Sequence, residues 1–141
     1  MNCQVNFYIL PSLAEEARLQ FACRLCEKAF QHQQKTLVVT NNPHTSKHLD
    51  DLLWIYKEDS FIPHSTASSL HLDEQAVIIS ESAINLDQEF DFIINLSESP
   101  IQNNSNKIAE IVNQDPTIKA SSREHFRFYQ KKGYDLQHHT M

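Results

Sequence analysis

The chain contains a single glycine, Gly133, among its 141 residues. Loops that cradle phosphate groups need several glycines, because their backbone amides must approach the phosphate closely and turn through positive φ angles. The scarcity of glycine therefore excludes Walker-type loops, the dinucleotide-binding fingerprint and the G-x-S-x-G nucleophile elbow. No acid–base cluster is evident in the sequence either, so these absences disfavour a small α/β enzyme.

Long hydrophobic runs are also missing. No apolar segment approaches the roughly 18 residues of a membrane span, and residues 1–10 lack the basic start and cleavage site of an export signal. We therefore expect a cytoplasmic protein with no membrane partner. Hydrophobic residues make up 40% of the chain and charged residues 21%. This composition is typical of a globular protein, and we expect a single domain over residues 1–141.

Cysteine is scarce too, with three residues. Cys23 and Cys26 form a C-x-x-C motif in the middle of a predicted helix, whereas a redox pair normally lies at a helix N-terminus and a zinc site needs two further ligands. Cys3 lies in or beside a predicted strand. The eight histidines are scattered, and His44 and His48 share one helix face that we expect to be solvated. We therefore expect reduced, buried thiols and predict neither a metal nor a cofactor.

Apolar segments and helical periodicity alternate along the chain. Strands are predicted at residues 4–10, 36–40, 76–80, 90–96 and, as the last strand, 107–112, and helices at 13–32, 45–56 and from 115 or 117 to 132. Apolar strands separated by helices predict a three-layer α/β fold with a mostly parallel sheet. Ser12, with Glu15 three residues later, is the predicted N-cap of the first helix. Gly133 is predicted to end the last helix, residues 57–66 to form a loop and residues 138–139 to lie in a tail.

The last predicted helix carries most of the local positive charge. Residues 115–132 hold five basic and two acidic side chains in a chain whose net charge is −6. Four of the basic residues recur at intervals of four and so form one stripe of the helix: Lys119, Arg123, Arg127 and Lys131. A cationic stripe beside an aromatic ring, here Phe126, can bind a short acidic peptide with an apolar end. The alternatives are a solvated amphipathic helix, or a nucleic-acid-binding domain that uses this basic helix directly, although an acidic body suits general DNA binding poorly.

A second feature is an aromatic segment around the end of the second predicted helix. Trp54 and Tyr56 are followed by Phe61 and Pro63 within a short stretch of sequence. These side chains either fold back onto the edge of the sheet or form an exposed patch for a partner protein, since tryptophan and tyrosine are frequent in interface hot spots. The sequence alone leaves both interpretations open.

Three blocks of sequence resemble the chi subunits of bacterial DNA polymerase III. Residues 123–136 read R-E-H-F-R-F-Y-Q-K-K-G-Y-D-L and are similar to the family ending R-x-x-Y-[KR]-x-Y-x-x-x-G-[FY]-x-L. Residues 6–10 read N-F-Y-I-L, similar to the opening F-Y-x-L, and residues 53–64 read L-W-I-Y-K-E-D-S-F-I-P-H, similar to the block L-W…S-F-[IV]-P-H. The blocks follow in family order and at family spacing, so the resemblance covers nearly the whole chain.

The resemblance implies a Rossmann-like accessory subunit of the DNA polymerase III holoenzyme with no catalytic site of its own. It implies that Trp54, Phe61 and Pro63 bind the psi subunit, which in turn tethers chi to the tau/gamma clamp loader. It also implies that the same surface is shared, in some bacteria, with a helicase-like repair protein.

The resemblance implies a second site, for the acidic C-terminal tail of single-stranded DNA-binding protein. By position this site maps onto Lys119, Arg123, Phe126 and Arg127, the residues that the charge pattern also indicates. Phe126 departs from the family, which usually has a tyrosine there, and residues 97–115 depart more broadly because they contain many asparagines.

Overall fold

The computed structural model describes residues 3–55, 64–66, 76–81, 89–102 and 105–141. Its helices and strands follow in the order β1 (Gln4–Ile9), α1 (Glu15–Gln31), β2 (Thr36–Val39), α2 (Pro43–Ile55), β3 (His64–Thr66), β4 (Val77–Ser80), β5 (Phe92–Asn95), β6 (Lys107–Val112), α3 (Pro116–Lys131) and β7 (Asp135–Thr140). Every helix predicted from periodicity is present, and each predicted strand is found within a few residues of its expected position.

The strands form one seven-stranded sheet in the order β3-β4-β2-β5-β6-β1-β7, and all its pairings are parallel. The residues of β2, β4 and β5 are buried throughout, because helices cover both faces of a parallel sheet and leave no solvated side. The prediction of a Rossmann-like, three-layer α/β fold is confirmed.

The two faces of the sheet have separate apolar cores. Helices α1 and α2 cover one face, where Cys26 and Leu49 pack with Ile94. Helix α3 covers the other face, where Tyr129 packs with Phe7. Each fully buried aliphatic or aromatic side chain of this kind contributes about 1.5–3 kcal/mol. β1 leads into a helix on one face and β6 into a helix on the other, so the chain leaves these two paired strands toward opposite faces of the sheet.

Two helices begin directly after residues that cap them through side-chain hydrogen bonds. The side chain of Asp115 accepts hydrogen bonds from the backbone N–H groups of Thr117 and Ile118, so α3 begins directly after it. Asn42 accepts a bond of 2.8 Å from the N–H of Thr45 through its side-chain oxygen. Pro43 occupies the first position of α2, where a missing N–H costs nothing.

The predicted cap of α1 is wrong. The N-cap is Ala14, which makes no side-chain capping bond. The hydroxyl of Ser12 instead accepts a bond of 3.0 Å from the N–H of Ala14 in a local turn. The carbonyl of Ser12 accepts a bond from the N–H of Gln114, which holds Ser12 outside the helix. Glu15 does not reach back to a cap; its carboxylate pairs with Arg18 at 2.9 Å.

The sequence also missed strands at both edges of the sheet. His64–Thr66, predicted as the end of a loop, forms β3 and pairs with β4. Residues 138–139, predicted as a tail, belong to β7, which runs parallel to β1. Strand β6 is therefore not the last strand but an interior one, between β5 and β1. Edge strands are hard to predict because their pairing, rather than their own apolar content, holds them.

Gly133 ends α3 as predicted, with a φ of 76° that suits glycine. The turn sends the chain back along the sheet, and the N–H of Asp135 donates to the carbonyl of Cys3 at 3.0 Å. At the other end of the same pairing, the N–H of Met141 donates to the carbonyl of Ile9 at 2.9 Å. These bonds hold β7 in register with β1.

Candidate protein-binding surfaces

Helix α3 separates its charged residues from its buried ones. Arg123 and Arg127 are exposed and Lys119 is half-buried, whereas His125 and Tyr129 are buried against the sheet. The separation follows from the helical period of 3.6 residues, which sets residues two positions apart on opposite faces. The cationic stripe predicted from the sequence is therefore a solvent-facing surface.

A shallow cavity of about 280 Å³ lies between this stripe and the β7 edge of the sheet. We call it the α3 pocket, and its lining residues are Phe7, Ser122, Arg123, Phe126, Arg127 and His138. The pocket brings together three of the four residues that the sequence predicted for the peptide site. The fourth, Lys119, lies one helical turn before Arg123 and does not line it.

Three aromatic rings form the floor of the α3 pocket. The centroid of the Phe7 ring lies 5.8 Å from that of Phe126 and 5.4 Å from that of His138. The rings of Phe126 and His138 lie 5.3 Å apart. Two guanidinium groups beside three rings can accept a ligand that carries both carboxylates and an apolar group.

Sequence reasoning missed Phe7, Ser122 and His138 as members of this pocket. Phe7 is a buried strand residue whose alternation predicts only that it faces one side of the sheet. Ser122 precedes Arg123 in the same helix and has no distinctive pattern. His138 reaches the pocket only because β7 pairs with β1, and no signal in its own segment would have indicated this.

The aromatic segment is exposed where the structure describes it. Trp54 is 58% exposed and the neighbouring Ile55 is 76% exposed. The indole packs edge-on against the ring of His64, with centroids 5.0 Å apart. Trp54 therefore contacts the edge strand β3 but keeps most of its side chain exposed, which leaves it available to a partner. Phe61 and Pro63, predicted for the same surface, lie outside the described residues.

The two surfaces lie at opposite edges of the sheet. Trp54 packs beside β3, one edge strand, and the α3 pocket lies beside β7, the other. Neighbouring strands are about 4.8 Å apart, so the six spacings between these edges span roughly 29 Å. Two partners of moderate size could therefore bind at the same time without touching the same strands.

The buried face of α3 holds a polar cluster that the sequence did not predict. Glu110 of β6 accepts hydrogen bonds from the Nδ1 of His125 at 2.9 Å, from the hydroxyl of Tyr129 at 2.6 Å and from the amide of Asn95 at 2.7 Å. The expectation that the chain has no acid–base cluster was therefore wrong. The available signal was Glu110 itself, a carboxylate with apolar residues on either side of it in the strand.

The geometry also defines the protonation of this cluster. The Nδ1 of His125 faces a carboxylate and its Nε2 lies 2.7 Å from the carbonyl oxygen of Glu98, so both nitrogens face acceptors and both must donate. Burial alone lowers the pKa of His125, but its hydrogen bond to Glu110 and the charge of that carboxylate raise the pKa overall. Burial and the same carboxylate raise the pKa of Tyr129. His125 and Glu110 therefore form a buried ion pair.

A second cavity, of about 260 Å³, opens beside this pair at the carboxyl ends of β5 and β6. Arg18 lies in its wall, and the guanidinium donates to the carbonyls of Ile111 and Leu96 and to the carboxylate of Glu15. Because its principal charged groups are already paired with protein atoms, this cavity offers a ligand little uncompensated charge.

The cysteines are buried, as predicted, and all three are free thiols. Burial raises the pKa of Cys3 to about 11. Burial, with a smaller effect of the Glu16 charge, raises the pKa of Cys23 to about 12. Among the described residues, no three histidine, cysteine or acidic side chains are grouped as a metal ion would require.

Within the described ranges, no helix combines the length and the apolar content needed to cross a lipid bilayer.

Comparison with known proteins agrees with the features described above. The family model described as "DNA polymerase III chi subunit, HolC" matches residues 2–137. The DNA polymerase III subunit chi of Pseudomonas aeruginosa is 36% identical over 140 residues, which cover 98% of this chain and 96% of that protein. The DNA polymerase III subunit chi of Haemophilus influenzae is 23% identical over 133 residues, which cover 93% of this chain and 92% of that protein. The chain therefore belongs to the family of DNA polymerase III chi subunits, which are accessory subunits of the replicative polymerase.

Proposed function

We propose that this chain is a non-catalytic adaptor that joins the clamp loader to single-stranded DNA-binding protein during DNA replication. At one end it binds the psi subunit, and through psi the tau/gamma clamp loader. At the other end it binds the acidic C-terminal tail of single-stranded DNA-binding protein. The observation that carries the proposal is the α3 pocket, in which Arg123 and Arg127 flank a floor of aromatic rings.

The α3 pocket has the chemistry that such a tail requires. A tail that is acidic and ends in phenylalanine presents carboxylates and one ring. The guanidinium groups of Arg123 and Arg127 can each donate two parallel hydrogen bonds to a carboxylate. The ring can pack against Phe126, and Lys119, one turn away on the same helix, can attract acidic residues further along the peptide.

The charge of the chain favours a peptide over nucleic acid. The chain carries a net charge of −6, and its basic residues on α3 form one narrow stripe. A surface that binds the DNA backbone directly needs several phosphate contacts spread over a broad positive face. The stripe is too short for this, which makes direct nucleic-acid binding the weaker hypothesis.

The exposed indole of Trp54 supports the site for psi. A tryptophan that is 58% exposed beside Ile55 presents a large apolar area to solvent, and such residues are frequent among binding hot spots. Phe61 and Pro63 complete the proposed surface. If a helicase-like repair protein uses the same residues, it must compete with psi and cannot bind together with it.

The adaptor does not need tight contacts at either end. Linkage through psi and through several tails of one single-stranded DNA-binding protein raises the effective concentration of each contact. Weak individual contacts also allow exchange as the replication machinery moves. As a replication subunit, the chain would act in the cytoplasm with the chromosome.

The test is a reconstitution with psi and single-stranded DNA-binding protein from the same organism. We expect all three to co-migrate in gel filtration, and we expect the complex to lose only single-stranded DNA-binding protein when its C-terminal tail is removed. Arg127→Ala should have the same effect as tail removal, whereas Trp54→Ala should lose only psi. Co-migration of the tailless protein would contradict the proposal, as would simultaneous loss of both partners from a folded single variant.

A further inference from the structure

The imidazole of His138 is the exposed ring among the three that form the floor of the α3 pocket. One face of the ring stacks on Phe7, with an interplanar angle of 21°, and the ring lies tilted by 33° against that of Phe126. The side chain as a whole is exposed. Among the residues that the structure describes, its ring nitrogens make no hydrogen bond or ion pair. The ring of His138 is therefore held in place by contacts within the protein, while its nitrogens remain available to a ligand.

The adjacent histidine, His139, differs from His138 in both its position and its hydrogen bonding. The ring of His139 stacks on Tyr8 on the opposite face of the sheet, with centroids 5.1 Å apart. Its Nε2 lies 3.0 Å from the side-chain oxygen of Asn6, so one of its ring nitrogens is hydrogen-bonded within the protein. Both histidines lie in β7 and each stacks on an aromatic ring of β1, but only His138 faces the pocket.

We propose that His138 is a ligand-contacting residue of the α3 pocket that binds a carboxylate of the acidic peptide in its protonated form, so that binding takes up a proton. This inference rests on the proposed function, because it concerns the peptide that the pocket is proposed to bind. It adds a residue and a pH dependence that Arg123 and Arg127 alone would not provide, since guanidinium groups stay charged at all physiological pH values.

The protein groups around His138 are cationic or uncharged, so a carboxylate that favours its protonation has to come from the ligand. Arg123 and Arg127 are the charged groups that face it from α3, and β1 contributes only the uncharged ring of Phe7. His139, its neighbour on β7, faces the other side of the sheet, and His125 is buried on the far side of α3, paired with Glu110. A carboxylate of the peptide would be the acidic group nearest to the imidazole, and an adjacent carboxylate favours the charged form of a histidine.

The experiment is a calorimetric titration with an acidic peptide that ends in phenylalanine, using the full chain at about pH 6 and about pH 8, which bracket the range where histidines change charge. The carboxylates of the peptide stay ionised throughout this range. We expect the affinity of the wild-type chain to be about three- to fivefold higher at the lower pH, the contribution of one partly exposed ion pair. Titrations in buffers of different ionisation enthalpy should show uptake of a fraction of a proton.

Two variants separate the charge of His138 from its packing. His138→Phe keeps a ring over Phe7 and His138→Gln keeps polar atoms, but neither can gain a proton. Each variant is compared with itself at the two pH values, and both should lose the rise in affinity on acidification. The matched control is His139→Gln, which removes the adjacent histidine from the opposite face and should keep the wild-type pH profile.

The outcomes distinguish this inference from the function on which it rests. A wild-type affinity that does not change with pH, or a rise that persists in both His138 variants, overturns the role of His138. If Arg127→Ala then still abolishes peptide binding, the proposed function stands without it. If Arg123→Ala and Arg127→Ala both leave binding unchanged, the pocket is not the peptide site and both proposals fail.

Discussion

The Nδ1 of His125 lies 2.9 Å from the Oε1 of Glu110, and the pair is buried between α3 and β6. It connects the inner face of the helix to the sheet, while Arg123 and Arg127, two residues to either side, face solvent. The buried pair therefore fixes the orientation of α3 about its axis, and this orientation places the two arginines on the solvent-facing side. Any change that releases His125 should also disturb the α3 pocket.

The first prediction concerns the pH dependence of stability. Because the pKa of His125 is raised in the folded chain, the stability that its protonation contributes is fully present below the ordinary histidine pKa of about 6.5. That stability is lost as the pH rises through the higher, folded pKa. We expect the free energy of unfolding to fall over that interval, as measured by urea unfolding at a series of pH values.

Glu110→Gln should remove that pH dependence and lower the free energy of unfolding by about 3 kcal/mol, the cost of breaking a buried ion pair. Glu89→Gln, an exposed acid elsewhere in the chain, is the control and should change neither quantity. An unaltered pH profile in Glu110→Gln would show that another group produces it.

The second prediction concerns the arginines of the α3 pocket. Arg123→Ala or Arg127→Ala should each weaken binding of the acidic tail peptide by about 1.5–3 kcal/mol, the usual value of a hydrogen bond to a charged group. Calorimetric titration measures this. Affinity of the wild-type chain should also fall as salt rises, because exposed ion pairs are screened.

Arg24→Ala is the matched control for these arginines. Arg24 is exposed on α1 and lies over the ring of Phe21 at 5.5 Å, far from α3 in the fold. It carries the same charge, so a comparable loss of affinity in Arg24→Ala would mean that net charge, and not the pocket, attracts the peptide.

The third prediction concerns the site for psi. Trp54→Ala should weaken binding to the psi subunit by about 2 kcal/mol or more, the range of an interface hot spot. The melting temperature should change little, because the indole is already 58% exposed. Phe30→Ala, which removes a partly exposed aromatic ring from α1, should leave psi binding intact. A pull-down in which Trp54→Ala retains psi would exclude this residue from the interface.

The fourth prediction concerns the turn that leads into β7. Gly133 has a φ of 76°, and a Cβ added there would meet no atom within 4 Å. Gly133→Ala should therefore cost only the backbone strain, about 1 kcal/mol. Gln33, which has a φ of 57° without being glycine, offers the converse: Gln33→Gly should leave stability unchanged or raise it. Equal destabilisation by both variants in thermal unfolding would contradict the explanation from φ.

The fifth prediction concerns the thiols. Because burial raises the pKa of Cys3 to about 11 and that of Cys23, with help from Glu16, to about 12, few thiolates exist at neutral pH. Alkylation followed by mass spectrometry should find all three cysteines unmodified in the folded chain and modified after unfolding in urea. Rapid modification of the native protein would show that one of them is accessible.

Periodicity was sufficient to predict the interior of this fold. The apolar strands and the amphipathic helices were placed within a few residues, because burial on both sides of a parallel sheet requires continuous apolar segments. The edge strands were missed because they are not buried on both sides and so lack continuous apolar segments. Strand β7 has mostly exposed side chains, and its place beside β1 depends on backbone hydrogen bonds that leave no mark on its own sequence.

The residues of the sites also differ in whether local sequence patterns could predict them. Four residues of the α3 pocket share one helix, and spacings of three to four residues place them together in any sequence that forms that helix. Phe7 and His138 come from two strands far apart in the chain. The same holds for the buried polar cluster. Taken one at a time in the sequence, its members are an acid in a strand (Glu110), one of several scattered histidines (His125) and an aromatic residue in a helix (Tyr129). Only their contact shows that they form one network.

The scarcity of glycine excluded phosphate-binding loops, and three sequence blocks indicated the family, because composition and motif order are both properties of the chain itself. The cationic stripe on α3 was equally determined by the sequence, through helical spacing. The tertiary structure alone decided that Trp54 is exposed, that His138 joins the α3 pocket, and that His125 is held by Glu110. Each of these depends on packing and pairing between segments distant in the chain, which local patterns do not specify.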